Sequence, residues 1–318
     1  MKNVLILGST GSLGTQCLEI LEKYPKDFRV IGLRAHRNQE LLRQQCVRLG
    51  MSENSGRITE KSERVDIVVN VISGIAGVNP SKIAAKAGKI LVLGNKESLV
   101  AEGEFLKKHA KQIVPVDSEH NAIYEILKRF SREKIKQITL PCSGGPFWGK
   151  SEKYLDGVTA KQATNHPRWK MGKKVSIESA TLINKGLEIV EAYYLFGLPL
   201  NKIKVMIHPE CMVHGVVEFE KTGEYAYISP PDMREHLENA LLRAIGKSSP
   251  KRRIEKFDST KYVWKKLGKN SLSGTETVLK HFKKSPEGMK KFLEKEEAVV
   301  NKFLEGKIKF TEIYKLLK

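Results

Sequence analysis

The stretch VLILGSTGSLGTQCLEIL, residues 4–21, decides the fold. Val4, Leu5, Ile6 and Leu7 form a short continuous apolar run, the pattern of a strand buried on both faces. Gly8, Gly11 and Gly14 follow at three-residue intervals, and Cys17, Leu18, Ile20 and Leu21 supply one apolar side of a helix. Strand, glycine turn and helix together make the entry of a dinucleotide-binding unit. The glycines let the main chain approach a pyrophosphate, and the helix N-terminus presents N–H groups to it. Gly8, Ser9, Thr10, Gly11, Ser12 and Leu13 are therefore candidate cofactor contacts.

Working outward, the next strand is expected over residues 28–33, followed directly by Ala35-His36-Arg37-Asn38. An acid for a ribose 2′-hydroxyl is missing there, and basic residues suit the 2′-phosphate of NADP instead. The plain alternative is a basic loop in a basic protein. Further strands are expected over 66–72, 90–93 and 113–116, with a helix between the first two of these over 83–87. Strands alternating with helices predict an α/β chain, and polar residues just beyond strand ends are where open α/β sheets bind ligands. Lys96, after the 90–93 strand, is thus a substrate-site candidate. Asp117 and Glu119, after the 113–116 strand, can both reach one point. Read without that role, Ser118 and Asn121 make a capping box that opens a helix over 122–130.

The stretch NHPRWKMGKKVSIESATLINKGLEIVEAYY, residues 165–194, carries most of the remaining chemistry. Pro167 and Gly172 keep its first half loop-like, with Arg168, Lys170, Lys173 and Lys174 adding positive charge. A helix is expected next, with Ser179 as N-cap and Leu182, Ile183, Leu187, Ile189 and Val190 on its apolar side. Asn184 and Lys185 precede Glu188 by four and three residues, so an amide, an ammonium and a carboxylate share one helix face. Such a helix start can hold a phosphate, and Glu188 with Asp117 and Glu119 would supply three oxygen ligands for a divalent metal. An ordinary amphipathic helix with a Lys–Glu pair is the competing reading. Gly186 is out of place in either, since Ala would favour the helix by about 1 kcal/mol. Residues 138–140 form a strand running into Pro141-Cys142-Ser143-Gly144-Gly145, a hydroxyl and N–H groups that suit an anion. Strands over 204–207, 215–219 and 224–228 follow, then a helix through Ala244.

The chain has 318 residues and a net charge of +20, which raises nucleic acid as a partner. The positive charge is densest beyond Lys247, but there it is interleaved with acids and helix formers, the pattern of a solvated helical surface. We therefore expect neither a nucleic-acid partner nor a membrane segment, since no apolar run is long enough. The N-terminus lacks the pattern of a signal peptide, and Cys17, Cys46, Cys142 and Cys211 have no metal-ligand spacing. A reducing, cytoplasmic location is the expectation.

GSTGSLG, GNKESLV, PVDSEHNAI, SGGPF, HPRWKMGKKVSIESATLINKGLE, IHPECMVHG and PPDMR occur in this order between Gly8 and Arg234. In combination the chain resembles the 1-deoxy-D-xylulose 5-phosphate reductoisomerase family. The resemblance implies an N-terminal Rossmann-like NADP-binding domain (1–118), a central α+β catalytic domain (119–246), and a linker with a small, shortened C-terminal helical domain (247–318). It implies a homodimer, NADPH, and Mg²⁺, Mn²⁺ or Co²⁺ held by Asp117, Glu119 and Glu188. Ser143, Ser179, Asn184 and Lys185 match contacts to the substrate phosphate, and Lys96 and Ser118 match other substrate contacts. His166, Trp169 and Met171 match a mobile loop that closes over a small phosphorylated sugar. Ala35, His36, Arg37, Asn38, Asn95, Lys96, Glu97, Met171, Gly172 and Met233 fall on the cofactor side, and His208, Pro231 and Met233 on further pocket positions. Lys96, Asp117, Glu119, His166 and Glu188 are the implied catalytic set. The implied activity is rearrangement of 1-deoxy-D-xylulose 5-phosphate by retro-aldol and aldol steps, then NADPH reduction to 2-C-methyl-D-erythritol 4-phosphate.

Several positions depart from the family pattern. Residues 41–64 are a short connection, Arg168 stands for Asn, and Glu178 for Asp. Glu210-Cys211 replaces Gln-Ser, and Arg234-Glu235-His236 replaces Arg-x-Pro. No Asn-Ala-Ala-Asn-Glu motif occurs near the C-terminus, where Leu293-Glu294-Lys295-Glu296-Glu297 is the nearest stretch. Two other functions compete: a semialdehyde dehydrogenase with Cys142 as nucleophile, which leaves the carboxylate trio without a role, and a nucleic-acid binder.

Overall fold

In the computed structural model, the described residues are 1–51, 59–130, 132–165, 168–169, 172–249, 251, 253–266 and 273–318. The chain divides into two units, residues 1–124 with 232–252, and residues 125–231 with 253–318.

The first unit is built on five parallel strands in the order β2-β1-β3-β4-β5. These are β1 (Lys2–Leu7), β2 (Phe28–Arg34), β3 (Ile67–Asn70), β4 (Ile90–Leu93) and β5 (Gln112–Pro115). The connecting helices are α1 (Ser12–Leu21), α2 (Gln39–Arg48), α3 (Val78–Lys86) and α4 (Lys96–His109), and α5 (Ser118–Arg129) follows β5. The Rossmann-like expectation holds, and each expected strand lies within two residues of its predicted ends. Strand order reverses between β1 and β3, which places the glycine turn after β1 at the crevice where such sheets bind nucleotides.

Helix α10 (Met233–Ala244) belongs to this unit, although sequence order places it in the second domain. Its buried residues Leu237, Ala240, Leu241 and Ala244 share one face and join the core of Val4, Ile6, Leu18, Val69, Val92 and Val114. Fully burying Leu237 and Leu241 stabilises this packing by roughly 1.5–3 kcal/mol each. Polar ties agree: the Tyr24 hydroxyl donates to Glu238 at 2.6 Å, Lys247 pairs with Asp27 at 2.7 Å, and Asn239 donates to Asn121 at 3.2 Å. The Glu238 hydrogen bond pushes the Tyr24 phenol up to about 12.

The second unit holds a mixed sheet in the order β10-β9-β8-β6-β7. Its strands are β6 (Ile135–Cys142), β7 (Ile203–Ile207), β8 (Val213–Phe219), β9 (Gly223–Ile228) and β10 (Ile254–Lys256). Only β6 and β7 run parallel within it; the other pairs are antiparallel. Short helices α6 (Glu152–Asp156) and α7 (Ala160–Ala163) precede α8 (Lys173–Ala180) and α9 (Ile183–Phe196). Helices α11 (Ser273–Lys284), α12 (Met289–Leu304) and α13 (Phe310–Leu317) form the C-terminal helical part, as expected for that region.

The single helix expected from Ser179 onward is two helices. Ser179 lies in the last turn of α8, and α9 starts after Leu182, which takes a left-handed conformation at φ 57°. That conformation costs a non-glycine residue about 1–2 kcal/mol. Helix α11 holds the break in place: Thr275 Oγ1 donates to Leu182 O at 2.9 Å, and a Cβ on Gly274 would meet Thr181 O at 2.0 Å. The same close approach explains Gly186, because a Cβ there would lie 2.7 Å from Val278 Cβ and 3.1 Å from Thr275 Cα. Gly186→Ala is therefore expected to lower the unfolding midpoint, with overpacking of about 1–3 kcal/mol outweighing the gain in helix propensity. Thermal unfolding of the variant checks the sign; a rise would show that propensity wins.

Candidate active site

In the first unit the turn after β1 is shaped for close main-chain approach. Gly8 N and Ser9 N donate to Arg34 O at 2.8 and 3.0 Å, and a Cβ on Gly14 would lie 2.2 Å from Gly8 O. Any side chain at Gly14 would push α1 away from the turn. Helix α1 begins with no side-chain cap, which leaves its first N–H groups facing the turn rather than a capping oxygen. Gln45 of α2 holds the loop from the other side, Nε2 donating to Ser9 O at 2.9 Å. The buried Ser9 Oγ has no partner among the described residues. Ala35, His36, Arg37 and Asn38 follow β2 with His36 and Arg37 exposed, while Asn38 caps α2 by accepting from Leu41 N at 3.0 Å.

At the end of β4, Asn95 and Glu97 turn inward rather than toward solvent. Asn95 Nδ2 donates to Ile72 O and Gly74 O, both at 2.8 Å, and to Glu97 at 2.9 Å, while the other Glu97 oxygen accepts from Gly74 N at 3.0 Å. The two side chains thereby fix the loop after β3, beside the glycine turn. Lys96 points differently and forms a largely buried ion pair with Asp117 at the end of β5. Ser118 Oγ donates to Glu119 at 2.5 Å, and His120 Nδ1 lies 4.0 Å from Asp117. The capping-box reading of Ser118 and Asn121 is not realised. Helix α5 starts at Ser118 itself, and Asn121 donates to Pro115 O at 3.0 Å and accepts from Asn239 of α10. This frees Asp117, Ser118 and Glu119 to cluster with Lys96 at adjacent strand ends, with Glu119 on the favourable end of the helix dipole.

In the second unit the end of β6 passes into Ser143-Gly144-Gly145, where Gly145 N donates to Ser143 Oγ at 3.1 Å. A Cβ on Gly145 would lie 2.9 Å from Ser179 O, so this loop rests directly on the last turn of α8. The first turn of α9 carries Asn184 and Lys185. Lys185 Nζ donates to Pro141 O at 2.6 Å and pairs with Glu188, to which Asn184 also donates. Lys185 and Glu188 are 3% and 1% exposed, so breaking their pair would strand a charge at a cost of about 3–5 kcal/mol. An ammonium, an amide and the positive end of a helix dipole are thus set in the first turn of α9, with Lys185 reaching the end of β6 at Pro141.

Trp169 is half-buried, its ring 6.1 Å from that of His214 in an edge-on contact, and Arg168 donates to Pro209 O at 3.2 Å. His214, itself bonded to Ser229 O at 3.0 Å, was not singled out from the sequence, where nothing signals its contact with Trp169. Gly172 caps α8, and Met233, the first residue of α10, packs on the core of the first unit. Pro231 is half-buried beside it in sequence. His166 and Met171 lie outside the described residues.

His208 is held by main-chain partners. Met212 N and Val213 N donate to its Nε2 at 3.0 and 3.1 Å, its Nδ1 lies 3.2 Å from Val263 O, and its ring stacks on Trp264 at 4.8 Å. The two acceptor bonds require Nε2 unprotonated and Nδ1 as donor. Burial lowers the His208 pKa below its usual 6.5, against the opposing pull of Val263 O and Glu210.

Family profiles match the chain as follows: one described as 1-deoxy-D-xylulose 5-phosphate reductoisomerase over residues 4–55 and 48–103, and one described as that enzyme's C-terminal domain over residues 113–196. The 1-deoxy-D-xylulose 5-phosphate reductoisomerase of Thermodesulfovibrio yellowstonii is 36% identical, covering 100% of this chain and 91% of the relative. That of a Sulfurihydrogenibium species is 38% identical, covering 100% and 90%. Among solved structures, DOX-P reductoisomerase in complex with NADPH, fosmidomycin and magnesium superposes with a TM-score of 0.81 at 30% identity, covering 100% of this chain and 88% of that one.

The His208 geometry carries a pH dependence. The unfolded chain takes up the His208 proton near the ordinary value of 6.5 and the folded chain only at lower pH. The stabilisation is thus present above pH 6.5 and is lost as pH falls from there through the folded value. The unfolding midpoint should drop between about pH 7.5 and about pH 5.5, and His208→Gln should flatten that drop. Equal slopes in the two proteins would contradict it.

Proposed function

The chain belongs to the 1-deoxy-D-xylulose 5-phosphate reductoisomerase family, and from that premise we propose which of its residues carry the reaction. It converts 1-deoxy-D-xylulose 5-phosphate to 2-C-methyl-D-erythritol 4-phosphate, a step toward isoprenoid precursors, using NADPH and a divalent metal. The observation that most supports the residue assignment is the Lys96–Asp117–Glu119 cluster at the carboxyl ends of β4 and β5, in a sheet whose β1 ends in the glycine turn.

The residues fit both groups. For NADPH, the turn leaves no room for a Cβ at Gly14, the Ser9 hydroxyl awaits a partner, and exposed Arg37 and His36 follow β2. For the metal, the family resemblance assigns Asp117, Glu119 and Glu188, whose carboxylates are the donor type that suits Mg²⁺ or Mn²⁺ over softer ions. When bound, the cation polarises the keto and adjacent hydroxyl oxygens of the substrate and NADPH supplies the hydride.

The chain's own residues do the rest. Gly8 to Leu13 receive the pyrophosphate, and Arg37 with its neighbours Ala35, His36 and Asn38 receives the 2′-phosphate. Asn95 and Glu97 act by holding the loop after β3, and the family resemblance puts Met171, Gly172 and Met233 on the cofactor side. Lys96 balances the Asp117 charge and, with Ser118 and Glu119, faces the substrate oxygens. Ser143, Ser179, Asn184 and Lys185 bind the phosphate, remote from the bonds that change, and so orient the reacting carbons. His166 and Trp169 cover the substrate and exclude water. His208 shapes the pocket wall through its backbone partners. We further infer a homodimer, from the family resemblance, and a cytoplasmic location, from the four free cysteines; no described helix is long and apolar enough to cross a membrane.

Absorbance of NADPH after addition of 1-deoxy-D-xylulose 5-phosphate, with and without Mn²⁺, tests the activity: oxidation that requires the metal is the expected result. In the same assay Glu188→Gln should lower kcat/KM by more than the roughly 10–100-fold typical of residues one shell removed from a metal, with NADPH affinity nearly intact. Unchanged turnover would remove Glu188 from the ligand set. Arg37→Ala should reduce the preference for NADPH over NADH by about tenfold or more, the equivalent of one charge-assisted hydrogen bond. Equal use of both cofactors by the unmodified chain would contradict the 2′-phosphate assignment.

A further inference from the structure

Helix α12 buries Met289, Phe292, Leu293, Val299, Val300 and Phe303, and within this apolar face sits Glu296, fully buried. A carboxylate there costs stability unless it is matched, and a local rule broken inside a core points to a functional constraint. Its match is Lys174, whose ammonium lies 3.0 Å from Glu296 and also pairs with Glu178, one turn further along α8. Glu178 and Glu296 are 1% and 0% exposed. Both carboxylates lie where the sequence departs from the family pattern: Glu178 stands for Asp, and Glu296 falls in the stretch nearest the missing Asn-Ala-Ala-Asn-Glu motif.

Helix α8 is the element this triad fixes. It starts at Lys173 and ends at Ala180, with Ser179 in its last turn. Ser179 O supports Gly145, and Gly145 N binds the Ser143 hydroxyl at 3.1 Å. A shift of α8 therefore moves Ser179 and Ser143 together. We propose that Glu296, acting through Lys174, is a positioning residue for the substrate phosphate: the C-terminal helices set the seat of the phosphate through an ionic anchor on α8. The assignment rests on the phosphate role of Ser143 and Ser179 proposed above.

The full-length chain carrying Glu296→Gln tests it, beside Val300→Ala as a control on the same helix. For each, kcat and KM for 1-deoxy-D-xylulose 5-phosphate, the inhibition constant of inorganic phosphate, NADPH affinity and the unfolding midpoint are measured, the first four well below that midpoint. In Glu296→Gln, KM and the phosphate inhibition constant should both rise by about tenfold, as for other supporting residues around a site, with kcat and NADPH affinity little changed. Val300→Ala should lower the midpoint and leave KM alone. KM and phosphate inhibition both at the wild-type level in Glu296→Gln, or an equal KM rise in Val300→Ala, would overturn the proposal. If Glu296→Gln does not fold, Glu296→Asp, which keeps the charge and withdraws it from Lys174, takes its place, with a raised KM supporting the anchor and an unchanged KM overturning it. A wild-type chain that fails to oxidise NADPH would instead remove the functional reading, so the two failures are told apart.

Discussion

A carboxylate taken out of water persists only where a cation or hydrogen-bond donor is set against it, and this constraint organises the site. Asp117 has Lys96 beside it, Glu188 has Lys185 and Asn184, and Glu178 and Glu296 share Lys174. Each lysine is in turn fixed by the element that carries it: the start of α4, the first turn of α9, the first turn of α8. Buried pairs of this kind add little to stability compared with apolar packing, but breaking one is expensive. They therefore hold local geometry more than they hold the fold.

The helix break at Thr181 and Leu182 is the second feature on which the site depends. A continuous helix through this stretch would bury Ser179 and Asn184 in the middle of a hydrogen-bonded run. Ending α8 and starting α9 afresh gives the chain a second helix start, with the positive end of its dipole, at Asn184 and Lys185. The left-handed Leu182 is retained because α11 approaches so closely that Gly274 and Gly186 leave no space for a Cβ. Strain at one residue is thus offset by packing from a helix some ninety positions further along the chain.

Several motif side chains are spent on the protein's own main chain. Asn95 and Glu97 hold the loop after β3, Gln45 holds the glycine turn, and His208 ties Val263 and Trp264 to the turn before β8. Sequence motifs contain several of these residues because the scaffold needs them as much as the reaction does. A motif position does not by itself distinguish a contact from a support. The direction of the side chain does, and Lys96 between inward-facing Asn95 and Glu97 is the clearest instance.

The sequence by itself determined the first unit's sheet, because four-residue apolar runs bounded by glycine and polar turns are local signals, too short for a helix and long enough for a strand buried on both faces. It also singled out Asp117, Glu119, Lys185 and Glu188 as candidates, since they are chemically distinctive, but spacing alone left each with an ordinary structural reading, and the proposed donor set rests on the family resemblance. Tertiary structure alone decided where α10 belongs, that Ser179 ends a helix rather than starting one, that Asn121 serves α10 rather than a capping box, and that His208 is committed to backbone partners. The reason is the same in each case. Periodicity shows which side of an element must be covered, but the covering surface comes from residues far away in the chain: Leu237 for the first sheet, Gly274 for the helix break, Asn239 for Asn121, and Val263 for His208.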